Sequence, residues 1–323
     1  MTSATAAPLA HLEAHSLFSV DGLVVVITGG SAGLGLYSAH TLAHNGATVY
    51  ILGRDPNRLD DVVSAFPKLA SGRTGAPRGR IEGVQADTTD KQSLADAVAA
   101  IRQKQPAGID ALICNAGIGG RFLQSYGTDS VSTDPSRFDD MLAELSSFSF
   151  QEAQRVLDVN ILGTYFTALA FLPLLKKRAD AYLDQAAGNR GAVAYSPQVI
   201  LTSSNAAWAK TPILNPIYNI SKTACSHLAK MLSTLLAETN IRVNTLEPGL
   251  YPSDLTSNEA KDPVTGHSTL SHTNGADIPA GRCGRPAEHG ATVLYLVSRA
   301  ALFANGATLR IDGGALNRIP GAD

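Results

Sequence analysis

Short apolar runs rich in β-branched residues alternate along the chain with longer stretches whose apolar residues recur at helical spacing. The runs cover residues 23–28, 48–52, 81–86, 111–114, 199–203, 242–246 and 308–311. A helix between two strands carries the chain back across one face of the sheet, so the two strands run parallel. The alternation therefore predicts an α/β fold of the doubly wound Rossmann type, with a mostly parallel seven-stranded sheet and helices on both faces.

Length and composition suit a single domain. The chain has 323 residues, of which 44% are hydrophobic and 17% charged, so it can bury a large core. We expect an N-terminal extension at residues 1–20 and one domain at residues 21–323. Three inserts rich in glycine and polar residues are expected to be loops, at residues 71–80, 119–149 and 179–197.

Charge and hydropathy argue against several classes of partner. The formal net charge of −2 gives no basic field that would attract nucleic acid or an anionic membrane surface. The first residues lack the basic and apolar segments of a secretion signal, and no run approaches about 18 consecutive apolar residues. We therefore expect no nucleic-acid partner, no membrane span and a cytoplasmic location.

Cysteine and histidine usage indicates neither disulfides nor a metal. Cys114, Cys225 and Cys283 are widely spaced and would leave one thiol over in any pairing, which is typical of a reducing compartment. Isolated histidines such as His40 and His289 lack the spacing of metal ligands. We therefore expect no metal site.

A glycine-rich turn joins the first strand to the following helix. It reads Thr-Gly-Gly-Ser-Ala-Gly-Leu-Gly from position 28 to position 35. Glycine lets a pyrophosphate approach the backbone and lets the helix pack against the strand, while the helix N–H groups and dipole attract the anion. The Lys-Ser/Thr ending of a nucleoside-triphosphate loop is absent. The turn therefore predicts a bound dinucleotide, contacted by Gly29, Ser31, Gly33, Leu34 and Gly35.

The end of the second strand favours NADP(H) over NAD(H). A fold specific for NAD usually places a carboxylate there for the ribose 2′-hydroxyl, but this chain has Arg54. A guanidinium can bind a 2′-phosphate through paired hydrogen bonds, and Arg58 follows one helical turn later. Asp55 leaves an alternative open, because it could neutralise Arg54 or turn to the ribose itself.

A tyrosine and a lysine are placed for proton transfer. Tyr218 and Lys222 stand four residues apart at the head of a helical run, so both project from one helix face. A phenol with the reference pKa of about 10 is a poor base at neutral pH, and a fixed ammonium beside it favours the phenolate. The spacing predicts a proton donor or acceptor with its tuning cation, although in isolation it is also common on exposed helices.

Several further motifs occur in one order, and with them the chain resembles the classical short-chain dehydrogenases/reductases from about residue 21 to residue 316. The matching segments, beside the glycine turn and the Tyr-x-x-x-Lys pair, are Asp87-Thr88, Asn115-Ala116-Gly117, Asn160, Ser203-Ser204, Glu247-Pro248-Gly249 and Asp312-Gly313-Gly314. They follow the third strand, the fourth strand, the next helix, the fifth strand, the sixth strand and the last strand. Joint occurrence by chance is very unlikely.

The resemblance implies a role for each matching residue. Tyr218 passes a proton to the substrate oxygen while hydride arrives from the nicotinamide, and Ser204 donates a hydrogen bond to that oxygen. Ser203 is the alternative donor, since Ser204 lies fourteen residues before Tyr218, one more than in many members. Lys222 also binds the nicotinamide ribose, and Asn160 holds a water that links this lysine to solvent. The other cofactor contacts implied are Asp87, Thr88, Asn115, Gly117, Gly249 and Ser253.

Two features near the expected site each allow two interpretations. The polar stretch 250–280 follows a strand without any regular period, and we interpret it as a mobile lid, the alternative being a plain surface loop. Trp208 either borders the substrate pocket or packs its own loop.

The expected function is NADPH-dependent reduction of a ketone or other carbonyl to an alcohol, or the reverse, as in the ketoacyl and carbonyl reductase branch of the family. The resemblance also implies a small-molecule substrate and a homodimer or homotetramer. One alternative is a scaffold that senses the dinucleotide without chemistry, against which the intact Asn, Ser, Tyr and Lys set argues. Others are an epimerase, a dehydratase or an NAD-dependent alcohol oxidase on the same fold.

Overall fold

The computed structural model describes residues 9–71, 79–123, 138–187, 194–273, 276–319 and 321. Within these residues, seven parallel strands form one sheet in the order β3-β2-β1-β4-β5-β6-β7. The strands are β1 Val24–Thr28, β2 Thr48–Gly53, β3 Arg80–Gln85, β4 Ala111–Cys114, β5 Gln198–Thr202, β6 Arg242–Pro248 and β7 Thr308–Ile311. The predicted doubly wound α/β fold is confirmed, with strand bounds shifted by at most two residues.

Helices connect the strands and begin at recognisable signals. They are α1 Ala14–Leu17, α2 Gly33–His44, α3 Pro56–Ala70, α4 Lys91–Lys104, α5 Phe138–Ser146, α6 Phe150–Leu157, α7 Thr164–Ala187, α8 Pro216–Leu235 and α9 Pro286–Val297. A π-helical segment, Asp158–Gly163, joins α6 to α7. The side chains of Asp55 and Asp90 accept backbone N–H groups in the first turns of α3 and α4, as N-caps do.

The sheet separates two hydrophobic cores. Val26 of β1 faces the core formed with α4, α7 and α8, while its neighbours Val25 and Ile27 face the core formed with α2, α3 and α9. Because both faces of the central strands are covered, all five residues of β1 are buried. Val20, at the end of the predicted extension, is fully buried in the second core and so belongs to the packed body.

The strand order places a crevice at the carboxyl ends of β1 and β4. From β1 the chain moves outward to β2 and β3, and then returns to the other side of β1 with β4. The loops that follow β1 and β4 therefore diverge to opposite faces of the sheet. Ligands of such sheets bind at this switch point.

Two of the three predicted loops contain helix, so those predictions were wrong in part. The insert 119–149 contains α5, and α7 continues through the start of the insert 179–197 to Ala187. Tertiary contacts extend α7, because the hydroxyl of Tyr182 donates to the buried Asp110 at 2.6 Å. The cores of the inserts, residues 72–78, 124–137 and 188–193, lie outside the described residues.

One described helical stretch is long and apolar enough to cross a membrane by length and composition. It is Phe150–Ala187, with a window of mean hydropathy 1.4 that is 39% buried within the protein. The sequence analysis overlooked it because charged residues interrupt the apolar run. Phe171, Leu175 and Ala179 of this stretch are fully buried against the sheet, as in a core helix.

A buried histidine of α9 contacts α2, and its burial makes protonation of the imidazole unfavourable. His289 is 1% exposed, and its Nε2 lies 3.0 Å from the Ser38 hydroxyl. Its Nδ1 has no hydrogen-bond partner among the described residues. Burial lowers the pKa of His289 from 6.5 to about 4. Burial, followed by the neighbouring His267, likewise lowers the pKa of His40 to about 4.

We expect the protein to lose stability as the pH falls below 6.5. Between pH 6.5 and pH 4 the unfolded chain binds protons that folded His289 does not, so the free energy of unfolding falls with falling pH in that window. From pH 7 to pH 5 this residue alone costs about 2 kcal/mol. Denaturant unfolding at both pH values measures the difference. His289→Gln should shrink it, whereas the exposed His15→Gln should leave it unchanged; an equal loss in all three proteins would contradict the assignment.

Candidate active site

A cleft of about 540 Å³ lies at the carboxyl ends of the strands. The sequence-predicted residues that line it are Gly29, Ser31, Gly33, Leu34, Arg54, Asp87, Thr88, Asn115, Gly117, Tyr218, Lys222 and Ser253, together with the alternative donor Ser203. Those that do not line it are Gly35, Asn160, Ser204 and Gly249. A smaller cavity of about 230 Å³ lies beside Tyr251 and Glu288. Asp312 and Gly313 of the last motif line it, but none of the predicted catalytic or cofactor-binding residues does.

The glycine turn leaves the start of α2 open to a ligand. Gly29 has a φ of +66°, and a Cβ at Gly35 would collide with the Gly29 carbonyl, so the turn and the helix approach closely because both residues lack side chains. The N-cap residue of α2 is Ala32, which offers no side-chain acceptor to the first-turn N–H groups. These groups, at a helix N-terminus in the cleft, are suited to bind a pyrophosphate.

Three charged residues after β2 differ in the partners that they contact. The carboxylate of Asp55 caps α3, accepting from the N–H groups of Asn57 at 3.0 Å and Arg58 at 3.4 Å, so it does not turn to a ribose. The guanidinium of Arg58 forms an ion pair with Asp254 at 2.9 Å. Arg54 lines the cleft and forms no ion pair with any residue that the structure describes. Arg54 is therefore the cation available to a 2′-phosphate.

Asp87 is held as a carboxylate at the side of the cleft. Its Oδ1 accepts from the backbone N–H of Thr89 at 2.8 Å and from the Thr89 hydroxyl at 2.7 Å. Burial would raise the pKa of Asp87, but these two hydrogen bonds and the charge of Arg54 outweigh it, and the pKa is lowered. Asp87 is thus a fixed acceptor beside Thr88.

Asn115 lines the cleft, but its side-chain amide donates a hydrogen bond to the neighbouring loop. Its Nδ2 donates to the Thr28 carbonyl at 3.1 Å, and its backbone N–H donates to the Thr28 hydroxyl at 3.0 Å. The residue thus ties the end of β4 to the glycine turn. Two residues on, Gly117 provides a close approach, because a Cβ there would lie 3.2 Å from the Asn160 Oδ1 and 3.4 Å from the Lys222 Nζ.

The structure brings Tyr218 and Lys222 together inside the cleft. Both are largely buried, at 7% and 6% exposure, in the first two turns of α8. The Lys222 Nζ lies 5.7 Å from the centre of the Tyr218 ring and donates to the Thr202 carbonyl at 3.0 Å. The cation is thus anchored beside the phenol, on the floor of the cleft.

Hydrogen bonding separates the two candidate serines. The hydroxyl of Ser203 donates to the Lys222 carbonyl at 2.8 Å and contacts the Ser226 hydroxyl at 2.8 Å, so it is committed to the interior although the residue borders the cleft. The acceptors nearest the Ser204 hydroxyl are the Asn205 Oδ1 at 3.3 Å and the Pro248 carbonyl at 3.5 Å. Ser204 therefore has the hydroxyl that is freer to donate to a ligand.

Asn160 lies in the π-helical segment and connects three elements. Its Oδ1 accepts from the Ile118 N–H at 2.8 Å, and its Nδ2 donates to the Ile118 carbonyl at 2.9 Å and to the Ser221 hydroxyl at 2.9 Å. π-Helical distortions of this kind are frequent at functional sites. Both amide hydrogens of Asn160 are thus used within the protein, and the water relay remains a prediction.

The segment after β6 closes over the cleft. A Cβ at Gly33 would lie 2.9 Å from the Ser253 Cβ, so Ser253 rests on the glycine turn. Its neighbour Asp254 is paired with Lys261 at 2.7 Å, in addition to Arg58. Among residues 250–273 and 276–280, no helix or strand is present. This arrangement is compatible with the lid interpretation.

Gly249 and Trp208 serve packing. A Cβ at Gly249 would lie 2.6 Å from the Asp312 Cα, so the absence of a side chain allows the end of β7 to pack closely here. The cofactor contact of Gly249 stays a prediction. The indole N–H of Trp208 donates to the buried Glu247 carboxylate at 2.6 Å, and Lys230 lies over the indole ring. Trp208 thus packs its own loop.

Sequence reasoning missed several residues that line the cleft. They are Ile118, Arg155, Val159, Thr202, Asp254 and Leu255. Most are chain neighbours of a residue that a motif had identified, so their position next to a motif could have indicated them. Arg155 carried none, because only the packing of α6 against α8 brings it to the cleft.

The comparisons with known proteins agree with this geometry. A family model for short chain dehydrogenases matches residues 23–263. The short-chain dehydrogenase/reductase PhomF of Diaporthe leptostromiformis is 36% identical over 312 residues, which cover 96% of each chain. A rhamnolipids biosynthesis 3-oxoacyl-[acyl-carrier-protein] reductase of Pseudomonas aeruginosa is 28% identical, covering 93% of this chain and 98% of its own.

A solved structure extends the likeness to three dimensions. It is the Pseudomonas aeruginosa RhlG/NADP active-site complex, which superposes with a TM-score of 0.71 at 26% identity and covers 93% of this chain and 98% of its own. Sequence, strand order and cleft lead to one conclusion: the chain belongs to the classical short-chain dehydrogenase/reductase family and is an oxidoreductase of that kind.

Proposed function

We propose that this protein reduces a ketone or another carbonyl to an alcohol with NADPH, or catalyses the reverse reaction. The observation that carries the proposal is the placement of Tyr218 and Lys222 side by side in the cleft that the glycine turn enters. A proton donor therefore lies in the same cavity as a cradle for a dinucleotide. The glycine turn suits a dinucleotide, because the uncapped first turn of α2 and the glycine positions leave room for a pyrophosphate.

Each step of the reaction is assigned to side chains that line the cleft or lie directly behind its lining. A bound nicotinamide supplies or accepts the hydride. Tyr218 holds the proton that moves to or from the substrate oxygen, and Ser204 orients that oxygen through its hydroxyl. The anchored ammonium of Lys222 stabilises the phenolate that remains and binds the ribose. Asn160 holds the loop after β4 against α8, which keeps this group in place.

A β-keto compound is the substrate class that the relatives favour. One relative is a 3-oxoacyl-[acyl-carrier-protein] reductase by name, which supports a β-keto substrate here. The test is a panel of β-keto esters, simple ketones, aldehydes and their alcohols, followed at the nicotinamide absorbance with each cofactor. Turnover of a carbonyl with NADPH is expected. An absence of turnover across the panel, despite cofactor binding, would favour a dinucleotide-sensing role.

NADP(H) is the proposed cofactor because of the charges at the adenosine end. Arg54 forms no ion pair among the described residues, although its charge acts on the Asp87 carboxylate, while Asp55 is turned into α3. The similar structure from Pseudomonas aeruginosa is a complex with NADP, which supports the same preference. We also propose a cytoplasmic homodimer or homotetramer that acts without nucleic acid or membrane.

Arg54→Ala should lower the affinity for NADPH by about 10- to 100-fold, equivalent to about 1.5 to 3 kcal/mol for a charge-assisted hydrogen-bonded pair. The affinity for NADH should change little, because NADH has no 2′-phosphate. Dissociation constants from nicotinamide fluorescence measure both. Arg58→Ala is the matched control: since Arg58 is engaged by Asp254, we expect no comparable change in the preference. An unchanged NADPH preference in Arg54→Ala would reject the role of Arg54.

A further inference from the structure

A strained turn precedes the helix that carries Tyr218. Leu214 has a φ of +66°, and the N–H of Asn215 donates to the Ile213 carbonyl at 2.9 Å, which closes a three-residue turn. Turns of this length with a left-handed central residue are rare and strained. Among the described residues, Leu214 and Asn240 are the non-glycine residues with positive φ. Asparagine adopts this conformation readily, so Leu214 is the unusual case.

Asn215 secures this turn with every hydrogen-bonding group of its side chain. It is 0% exposed, and its Oδ1 accepts from the backbone N–H of Tyr218 at 2.8 Å as the N-cap of α8. Its Nδ2 donates to the carbonyls of Gly119 at 2.7 Å and Arg121 at 2.9 Å. One buried amide thus joins the start of α8 to the segment that follows β4.

That segment lies next to the lining of the cleft. It continues directly from Gly117 and Ile118, which line the cleft. A Cβ at Gly119 would collide with Leu255 of the closing segment and lie 2.9 Å from Leu214. The turn before α8, the segment after β4 and the segment after β6 therefore meet at Gly119.

The helix cap bears directly on the reacting pair. Tyr218 is the third residue of α8, inside the first turn that Asn215 caps, whereas Lys222 lies a turn later and is held independently by the Thr202 carbonyl. An uncapped helix frays in its first turn. Loss of the cap would therefore displace the phenol and leave the ammonium in place.

We propose that Asn215 is a positioning residue of the proposed active site, which sets Tyr218 against Lys222 through its acceptor and sets the substrate opening through its two donors. The inference rests on the proposed function and extends it to a residue outside the family's motifs. Asn215→Ala removes both functions. Asn215→Asp keeps an acceptor for the Tyr218 N–H and removes both donors.

For Asn215→Ala we expect kcat to fall by about 10- to 100-fold, the effect of displacing a reacting group by about 1 Å. For Asn215→Asp we expect kcat to stay near the parent value and KM for the carbonyl to rise about tenfold through the loosened opening. The NADPH dissociation constant should remain near the parent value in both.

Asp90→Ala, which removes the side-chain cap of α4 at a residue that does not line the cleft, is the control for simple helix destabilisation. It should lower the melting temperature while kcat and KM stay as in the parent. The proposal is overturned if Asn215→Ala behaves like this control, or if Asn215→Asp leaves KM unchanged. If Asn215→Ala does not fold, the KM of Asn215→Asp is the measurement that tests the proposal. A parent protein that binds NADPH but turns over no carbonyl would instead overturn the proposed function, and this inference with it.

Discussion

Tyr218→Phe should lower turnover by about 10²- to 10⁴-fold, the range for removal of a general acid or base. The substitution deletes one oxygen from a ring that is 7% exposed, so the packing of α8 and the glycine turn should persist. The dissociation constant for NADPH should therefore stay close to the parent value. Steady-state rates at the nicotinamide absorbance and a fluorescence titration of the cofactor measure the two quantities separately.

Tyr165→Phe is the matched control, because Tyr165 of α7 is 37% exposed and does not line the cleft. Its rate should equal that of the parent. Retention of more than about a tenth of the parent turnover by Tyr218→Phe would be incompatible with a role as proton donor. Loss of cofactor binding together with turnover would show that the phenol supports the cleft as a whole.

Asp110→Ala should destabilise the fold by about 3 to 5 kcal/mol, the usual consequence of removing one partner from a buried ion pair. Asp110 is 0% exposed and accepts from the Val24 N–H at 2.7 Å, the Arg178 Nε at 2.8 Å and the Tyr182 hydroxyl at 2.6 Å. Without it, an N–H at the start of β1 and a largely buried guanidinium lose their acceptor. Denaturant unfolding followed by circular dichroism measures the loss.

Asp180→Ala is the control for this prediction, since it breaks an exposed ion pair with Lys176 on the same helix. Such pairs contribute about 0 to 1 kcal/mol. A change below about 1 kcal/mol in Asp110→Ala would show that water or a rearranged neighbour replaces the carboxylate.

Local patterns were sufficient for the fold and for the reacting pair. The strands were predictable because parallel strands buried on both faces are short, apolar and β-branched. Tyr218 and Lys222 were predictable because a spacing of four places two side chains on one helix face whatever surrounds the helix. Asn215 was within reach as well, because Asn-Pro is a typical start of a helix.

Long-range pairing decided the rest of the site. From its sequence position, Arg58 could equally have bound a phosphate. Its ion pair with Asp254, 196 residues away, forms only because the segment after β6 folds over the cleft. The choice between Ser203 and Ser204 depended on the backbone and hydroxyl groups of α8. The amide of Asn215 meets Gly119 across 96 residues.

The sequence by itself determined which chemistry is present and at which edge of the sheet it lies, because glycine turns, strand ends and helix spacing are local properties of the chain. Only the tertiary structure decided which charges and hydroxyl groups remain free to act. A hydrogen bond is directional and each donor is used once, so the partner that packing brings within about 3 Å determines which groups are left for a ligand.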